Sequence, residues 1–141
     1  ARMFPNVTST SPPKHDWPML DGAMRMAARG QMVTVTPFTL AGAMAPVSVA
    51  GTLTQVLAEV MAGIAYSHLV RPGAPVIFGA FVTSIDMNSG APTFGTPEAA
   101  HITYGAGQLA RRLGLPYRSA GSFCGSKSRL CTGRSAPTSA R

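Results

Sequence analysis

The sequence predicts an α/β fold made of about three parallel βα units. Helix-like and strand-like stretches alternate along the chain. Residues 75–82 (PVIFGAFV) form a continuous apolar run of strand length, the pattern of a strand buried on both faces. Thr96-Pro97-Glu98 is a clear helix start, with Thr as N-cap, Pro at the first helical position and an acid in the first turn. Such alternation means a parallel sheet, in either a doubly wound fold or a (β/α)8 barrel. Three strands cannot close a barrel, so under the second reading the chain is a partial one.

Residues 1–18, rich in Pro, Ser and Thr, read as a loop. Residues 19–30 form a short amphipathic helix with Leu20, Ala23, Met24 and Ala27 on one face and Gly30 as terminator. Residues 31–38 (QMVTVTPF) are β-branched and end as a strand at Pro37. After a loop of small residues, a long helix begins near Val47 or Ser48. Leu53, Val56, Val60 and Ile64 mark its apolar side, while Gln55, Glu59 and Gly63 share the opposite one. Pro72-Gly73 stops it. Residues 83–95 read as a polar loop containing Asp86. A helix over 96–113 closes on Arg111, Arg112 and Gly114, and residues 115–119 make a third short strand.

The chain has 141 residues, 45% hydrophobic and 12% charged, enough for one domain with a buried core. Its net charge of +7 is local. Residues 1–110 balance to zero, and the excess comes from Arg111, Arg112, Arg118, Lys127, Arg129, Arg134 and Arg141. A small basic module binding nucleic acid through this Arg-rich end is therefore the rival reading. The neutral remainder and the lack of aromatic–basic interleaving argue against it. Cys124 and Cys131 form no C-x-x-C pair, and His15, His68 and His101 have no metal-ligand spacing, so no metal site is expected. A reduced, cytoplasmic setting follows. Starting at Ala1 with no leader, the chain reads as a fragment. Residues 47–70 are long enough to span a bilayer. Gln55, Glu59, Ser67 and His68 inside them, with no flanking aromatic belt, favour a soluble protein.

Gly105-Ala106-Gly107-Gln108-Leu109-Ala110 fits the dinucleotide fingerprint G-x-G-x-x-A, but its glycines fall inside the helix that began at Thr96 and no acid follows. Asp86, just past a strand end, is a candidate site acid, with a turn-capping role as the competing reading. Gln55 and Glu59 form one polar patch that faces either a site or solvent. Phe38, Phe81, Tyr117 and Phe123 fall at or after strand ends, where aromatics can cage a quaternary ammonium by cation–π attraction; core packing is the alternative for each.

Several ordered strings carry a family resemblance: Leu40-Ala41-Gly42-Ala43 with Pro46-Val47, Ala50-Gly51, Ala58-Glu59, Leu69-Val70-Arg71-Pro72-Gly73-Ala74-Pro75, Asp86-Met87, Gly95-Thr96-Pro97-Glu98, and Gly114-Leu115-Pro116-Tyr117-Arg118-Ser119. Together, over about residues 4–127, they resemble the trimethylamine methyltransferase family. The resemblance implies a partial (β/α)8 TIM barrel of about three βα units. It also implies methyl transfer from a methylated amine, trimethylamine or a betaine such as glycine betaine, to a separate corrinoid protein. The corrinoid (cobalamin) would be carried by that partner and not bound directly by this chain. Such chemistry suits aromatics and one or two carboxylates. Asp86 and Glu98 are the expected catalytic acids; Phe81, Tyr117, Phe123, Gln55 and Glu59 are the expected substrate contacts. No pyrrolysine stands near residues 122–124, where the trimethylamine branch carries it, so the resemblance leans toward the non-pyrrolysine branch. Family chains are much longer. The implied picture is a fragment inactive alone, with no nucleic acid or membrane partner, and compatible with a homo-oligomer of the parent.

Past Lys127 the pattern breaks. Residues 128–135 (SRLCTGRS), written in codons and read one base later, can give Pro-Asp-x-Ala-Gln-Ala-Ala, close to the family's usual continuation. Residues 1–127 are thus expected to be the barrel slice and 128–141 a frameshifted, disordered tail.

Overall fold

The computed structural model describes residues 5–10, 15–119 and 121. Its elements run β1 (Asn6–Thr10), α1 (Trp17–Ala28), β2 (Val33–Ala41), α2 (Val49–Val70), β3 (Val76–Ile85), β4 (Pro92–Thr93), α3 (Pro97–Arg112) and β5 (Tyr117–Ser119). The three expected helices and three expected strands are present. Two strands are added. Residues 6–10 are not loop but a strand that pairs parallel with β2, from Asn6 against Thr34 to Thr10 against Phe38. Residues 83–95 are not wholly loop either: β3 continues to Ile85, and the two-residue β4 folds back antiparallel on Ser84 and Ile85.

β2 also passes through Pro37 instead of ending there. The β2–β3 ladder pairs Val33–Val35 with Val76–Phe78, skips Thr36 and Pro37, and resumes in the same register at Phe38 and Phe81. A proline removes one ladder donor without shifting register, so the strand survives at the cost of a local gap.

Strands β1, β2, β3 and β5 are parallel and follow one another in chain order without reversal. Right-handed crossovers between strands advancing in one direction place every helix on the same face. α2 accordingly packs between α1 and α3 over β2 and β3. The resulting architecture is a curled, mixed α/β sheet with three helices on its outer side.

Side chains alternate across the strands. Val33 and Val35 of β2 and Val76, Phe78, Ala80 and Val82 of β3 face the helices. There they meet Ala23 and Ala27 of α1, Val56, Val60 and Ile64 of α2, and Ile102, Ala106 and Ala110 of α3 in two buried clusters. The other face carries Thr34, Thr36 and Phe38 beside Ile77, Gly79 and Phe81. Gly79 is required there: a Cβ would collide with the Thr36 side chain and the Val35 carbonyl. Thr36 Oγ1 is itself fixed, donating to Asn6 Oδ1 at 2.6 Å.

By length and composition alone α2 could cross a membrane. In the fold, Thr52, Glu59 and Ser67 are buried on it together with Val56, Val60 and Ile64. That polar stripe is engaged by the protein: Thr52 Oγ1 donates to Pro46 O at 2.7 Å and Ser67 Oγ to Gly63 O at 2.9 Å.

Candidate functional site

In parallel sheets the carboxyl ends of the strands are where loops converge and ligands bind. Phe38 and Phe81, partners in register on the face away from the helices, stack with centroids 5.2 Å apart. Phe94, just after β4, meets Phe81 edge-to-face at 6.5 Å. Phe38 remains 36% exposed and Phe94 40%, so the trio keeps aromatic surface open to a ligand.

The floor beneath Phe94 is a hydroxyl cluster. Thr83 Oγ1 donates to the Thr93 carbonyl, and Ser84 Oγ lies 2.8 Å from Thr93 Oγ1 and 3.1 Å from Thr96 Oγ1. Thr96 caps α3 as its sequence required, its Oγ1 accepting from the Ala99 N–H at 3.3 Å. β3, β4 and the start of α3 are thus pinned to one another at the mouth.

A groove of about 680 Å³ leads away from Phe81 and Phe94 along α3, passing Thr96, Tyr104, Tyr117 and Arg111. Fifteen residues separate Thr96 from Arg111, roughly 22 Å of helix. A small molecule is shorter than this groove, and only the Phe81–Phe94 end combines aromatics with the carboxyl ends of the strands.

Asp86 sits at the expected end of β3 and is engaged in a turn. Its Oδ2 accepts from Ser89 Oγ at 2.6 Å and its Oδ1 from the Asn88 N–H at 3.2 Å, while Gly90 N–H donates to its carbonyl at 2.7 Å. The Ser89 hydroxyl, then the Asn88 amide, hold its carboxyl below the ordinary carboxylate value. Glu98 lies exposed in the first turn of α3.

Phe81 and Tyr117 border the same groove, but Tyr117 belongs to the helix side. It packs on Phe78 at 6.1 Å and donates from its hydroxyl to Thr103 O at 3.1 Å. Burial pushes its phenol up, partly offset by a hydrogen bond with Ser119. Gln55 and Glu59 lie on α2, also on the helix side. Glu59 is 1% exposed, so the patch is not a solvated stripe. Its Oε2 accepts from Ser9 Oγ at 2.7 Å and its Oε1 from Gln55 Nε2 at 3.1 Å, and Gln55 Nε2 also donates to Met44 O at 2.9 Å. Phe123 and residues 128–141 lie outside the described residues. The glycines of the dinucleotide-like string fall within α3, where Gly105 lets α3 approach Leu53 of α2: a Cβ there would stand 2.7 Å from Leu53 Cδ1. Among the described residues no group of three His, Cys, Asp or Glu is arranged to hold a metal ion.

Phe94 was not singled out in the sequence, because it lies within residues 83–95, which read as a polar loop. Its signal would have been a lone large apolar residue between Thr93 and Gly95, directly before a helix cap.

A singly wound parallel sheet, helices on one face and aromatics at its carboxyl end define the α/β proteins whose ligands meet the strand termini. Within that class, the chain belongs to the trimethylamine methyltransferase (MTTB) family, whose sequence model matches residues 1–130. It is 41% identical over 121 residues to the glycine betaine methyltransferase of Desulfitobacterium hafniense (strain Y51), covering 86% of this chain and 25% of that protein. It is 34% identical over 116 residues to the proline betaine:corrinoid methyltransferase of Eubacterium limosum, covering 82% and 24%. To the trimethylamine methyltransferase MttB2 of Methanosarcina mazei (strain ATCC BAA-159 / DSM 3647 / Goe1 / Go1 / JCM 11833 / OCM 88) it is 36% identical over 104 residues, covering 74% and 21%. The chain spans about a quarter of the length of these relatives.

Proposed function

We propose that the chain is part of a (β/α)8-barrel methyltransferase that moves a methyl group from a methylated amine to a corrinoid protein. The observation that carries the reading is the Phe38–Phe81–Phe94 cluster at the carboxyl end of the sheet in a member of this family. Strand order without reversal and helices on one face support the barrel, since a doubly wound sheet reverses its order. A betaine such as glycine betaine is the favoured donor, given the 41% identity to a glycine betaine methyltransferase.

A quaternary ammonium cannot donate a conventional hydrogen bond, so aromatic faces are the side chains suited to hold it. Phe81 would form one wall, with Phe38 and Phe94 beside it. The corrinoid on that partner would supply the nucleophile that takes the methyl group. The residues here would orient the donor and keep water from its charged nitrogen. Asp86 and Glu98 are proposed as the acids on the reaction side. A cytoplasmic location belongs to the same reading, supported by the polar side chains Thr52, Glu59 and Ser67 that α2 buries against the protein.

The full-length protein, given glycine betaine or trimethylamine and a reduced corrinoid protein, should change the corrinoid absorption spectrum in an amine-dependent way. A flat spectrum with every methylated amine tested would sink the proposal.

A further inference from the structure

We propose that Glu59 is a positioning residue, acting through Gln55 to hold the β2–α2 loop at the mouth of the sheet. The inference rests on the reading of that mouth as the reaction site.

A carboxylate in this place needs a reason. Glu59 is 1% exposed between α2 and the sheet, where an apolar side chain of similar size would fill the space with no desolvation cost. Its hydrogen bonds supply the reason. Gln55 can present either its oxygen or its NH2 group to a neighbour. Glu59 Oε1 and Met44 O both meet Gln55 Nε2, at 3.1 and 2.9 Å. Both are acceptors, so together they select the amide orientation that donates to the loop. Without the acceptor at Glu59, one of the two forces fixing that orientation is gone. Ser9, fully buried at the end of β1, steadies the carboxylate from its other oxygen at 2.7 Å.

The loop is built to respond as a unit. Met44 N–H and Ala45 N–H both donate to Leu40 O, at 2.8 and 3.2 Å, and Gly42 N–H donates to Ala45 O at 3.0 Å. Thr52 provides a second attachment at Pro46 O. Gly42 lies against Ile85 at the end of β3. A shift of this turn is therefore felt by both strands that carry Phe38 and Phe81.

Amide hydrogen exchange on the full chain tests this, comparing residues 40–48 with residues 60–66 inside α2. Gln55→Ala and Glu59→Met should each speed exchange of the loop amides about three- to tenfold, the scale of one lost hydrogen bond, with residues 60–66 unchanged. The double variant should exchange no faster than Gln55→Ala alone, because the two residues act in series. Glu59→Gln should restore the wild-type loop rate, since its amide oxygen can face Gln55 while its NH2 faces the Ser9 hydroxyl. Because Glu59→Met also leaves the buried Ser9 hydroxyl unpaired, its melting temperature should fall, and the comparison of residues 40–48 with residues 60–66, with rescue by Glu59→Gln, separates that loss from loosening of the loop. Unchanged loop exchange in Gln55→Ala and Glu59→Met, or additive effects in the double variant, would overturn the proposal. A wild-type protein that shows the exchange pattern but transfers no methyl group would overturn the functional reading alone.

Discussion

Phe81 is stacked on Phe38 and meets Phe94 edge-to-face, so its ring is held by neighbours on two sides before any ligand arrives. A preorganised ring contributes cation–π attraction without the entropy cost of ordering it. Replacing it by Ala should raise the KM for a methylated amine roughly 3- to 30-fold, while Phe81→Trp should keep the KM near wild type. Steady-state kinetics on the full-length protein decides it; an unchanged KM in the Ala variant would place the cation elsewhere. Phe81 was legible in the sequence because it falls late in a continuous apolar strand, one position before Val82. Glu59 was not. Four residues after Gln55 on a helix, it reads as part of a polar patch facing either a site or solvent, and the hydroxyl that engages it comes from Ser9, fifty positions away. No local pattern records such a partner.

Among the elements, α3 was the clearest in the sequence and β1 the least. The start of α3 is written in three consecutive residues with separate physical roles, and the cap forms as they require. Thr96→Ala should cost about 1 kcal/mol, read as a drop of a few degrees in thermal unfolding, with Thr96→Ser retaining most of the stability. A loss well beyond that range would mean that the contact to Ser84 Oγ outweighs the cap. β1 is only five residues long, NVTST, and lies among Pro, Ser and Thr. It is a strand because β2 offers it an edge, and a polar pentapeptide does not announce an edge that lies elsewhere in the chain. α2 was recognised as a helix, but its low charge has two causes and not one. The face on the sheet is buried, whereas Ala58, Met61, Ala62, Ala65 and Leu69 form an apolar outer face that stays exposed.

At the scale of the whole molecule, the described sheet has two open flanks. β1 pairs only with β2 and β5 only with β3. Unpaired parallel edges and exposed Phe38, Phe94, Met61 and Leu69 make residues 1–127 expressed alone prone to self-association. Size-exclusion chromatography with light scattering should find oligomers or aggregates, and a clean monomer would show that the edges are protected in a way the fold does not reveal. The class of fold, the three helices and the central strand pair were fixed by periodicity, caps and apolar runs, because these act between residues near in sequence. Tertiary structure alone decided that β1 joins the sheet, that Phe94 completes the aromatic cluster and that Glu59 is buried against Ser9. Each of those depends on which distant surfaces are left for one another after the local elements form. The strings shared with the trimethylamine methyltransferase family named the chemistry to expect; the folded sheet determined that Phe38, Phe81 and Phe94, outside those strings, stand together at its mouth.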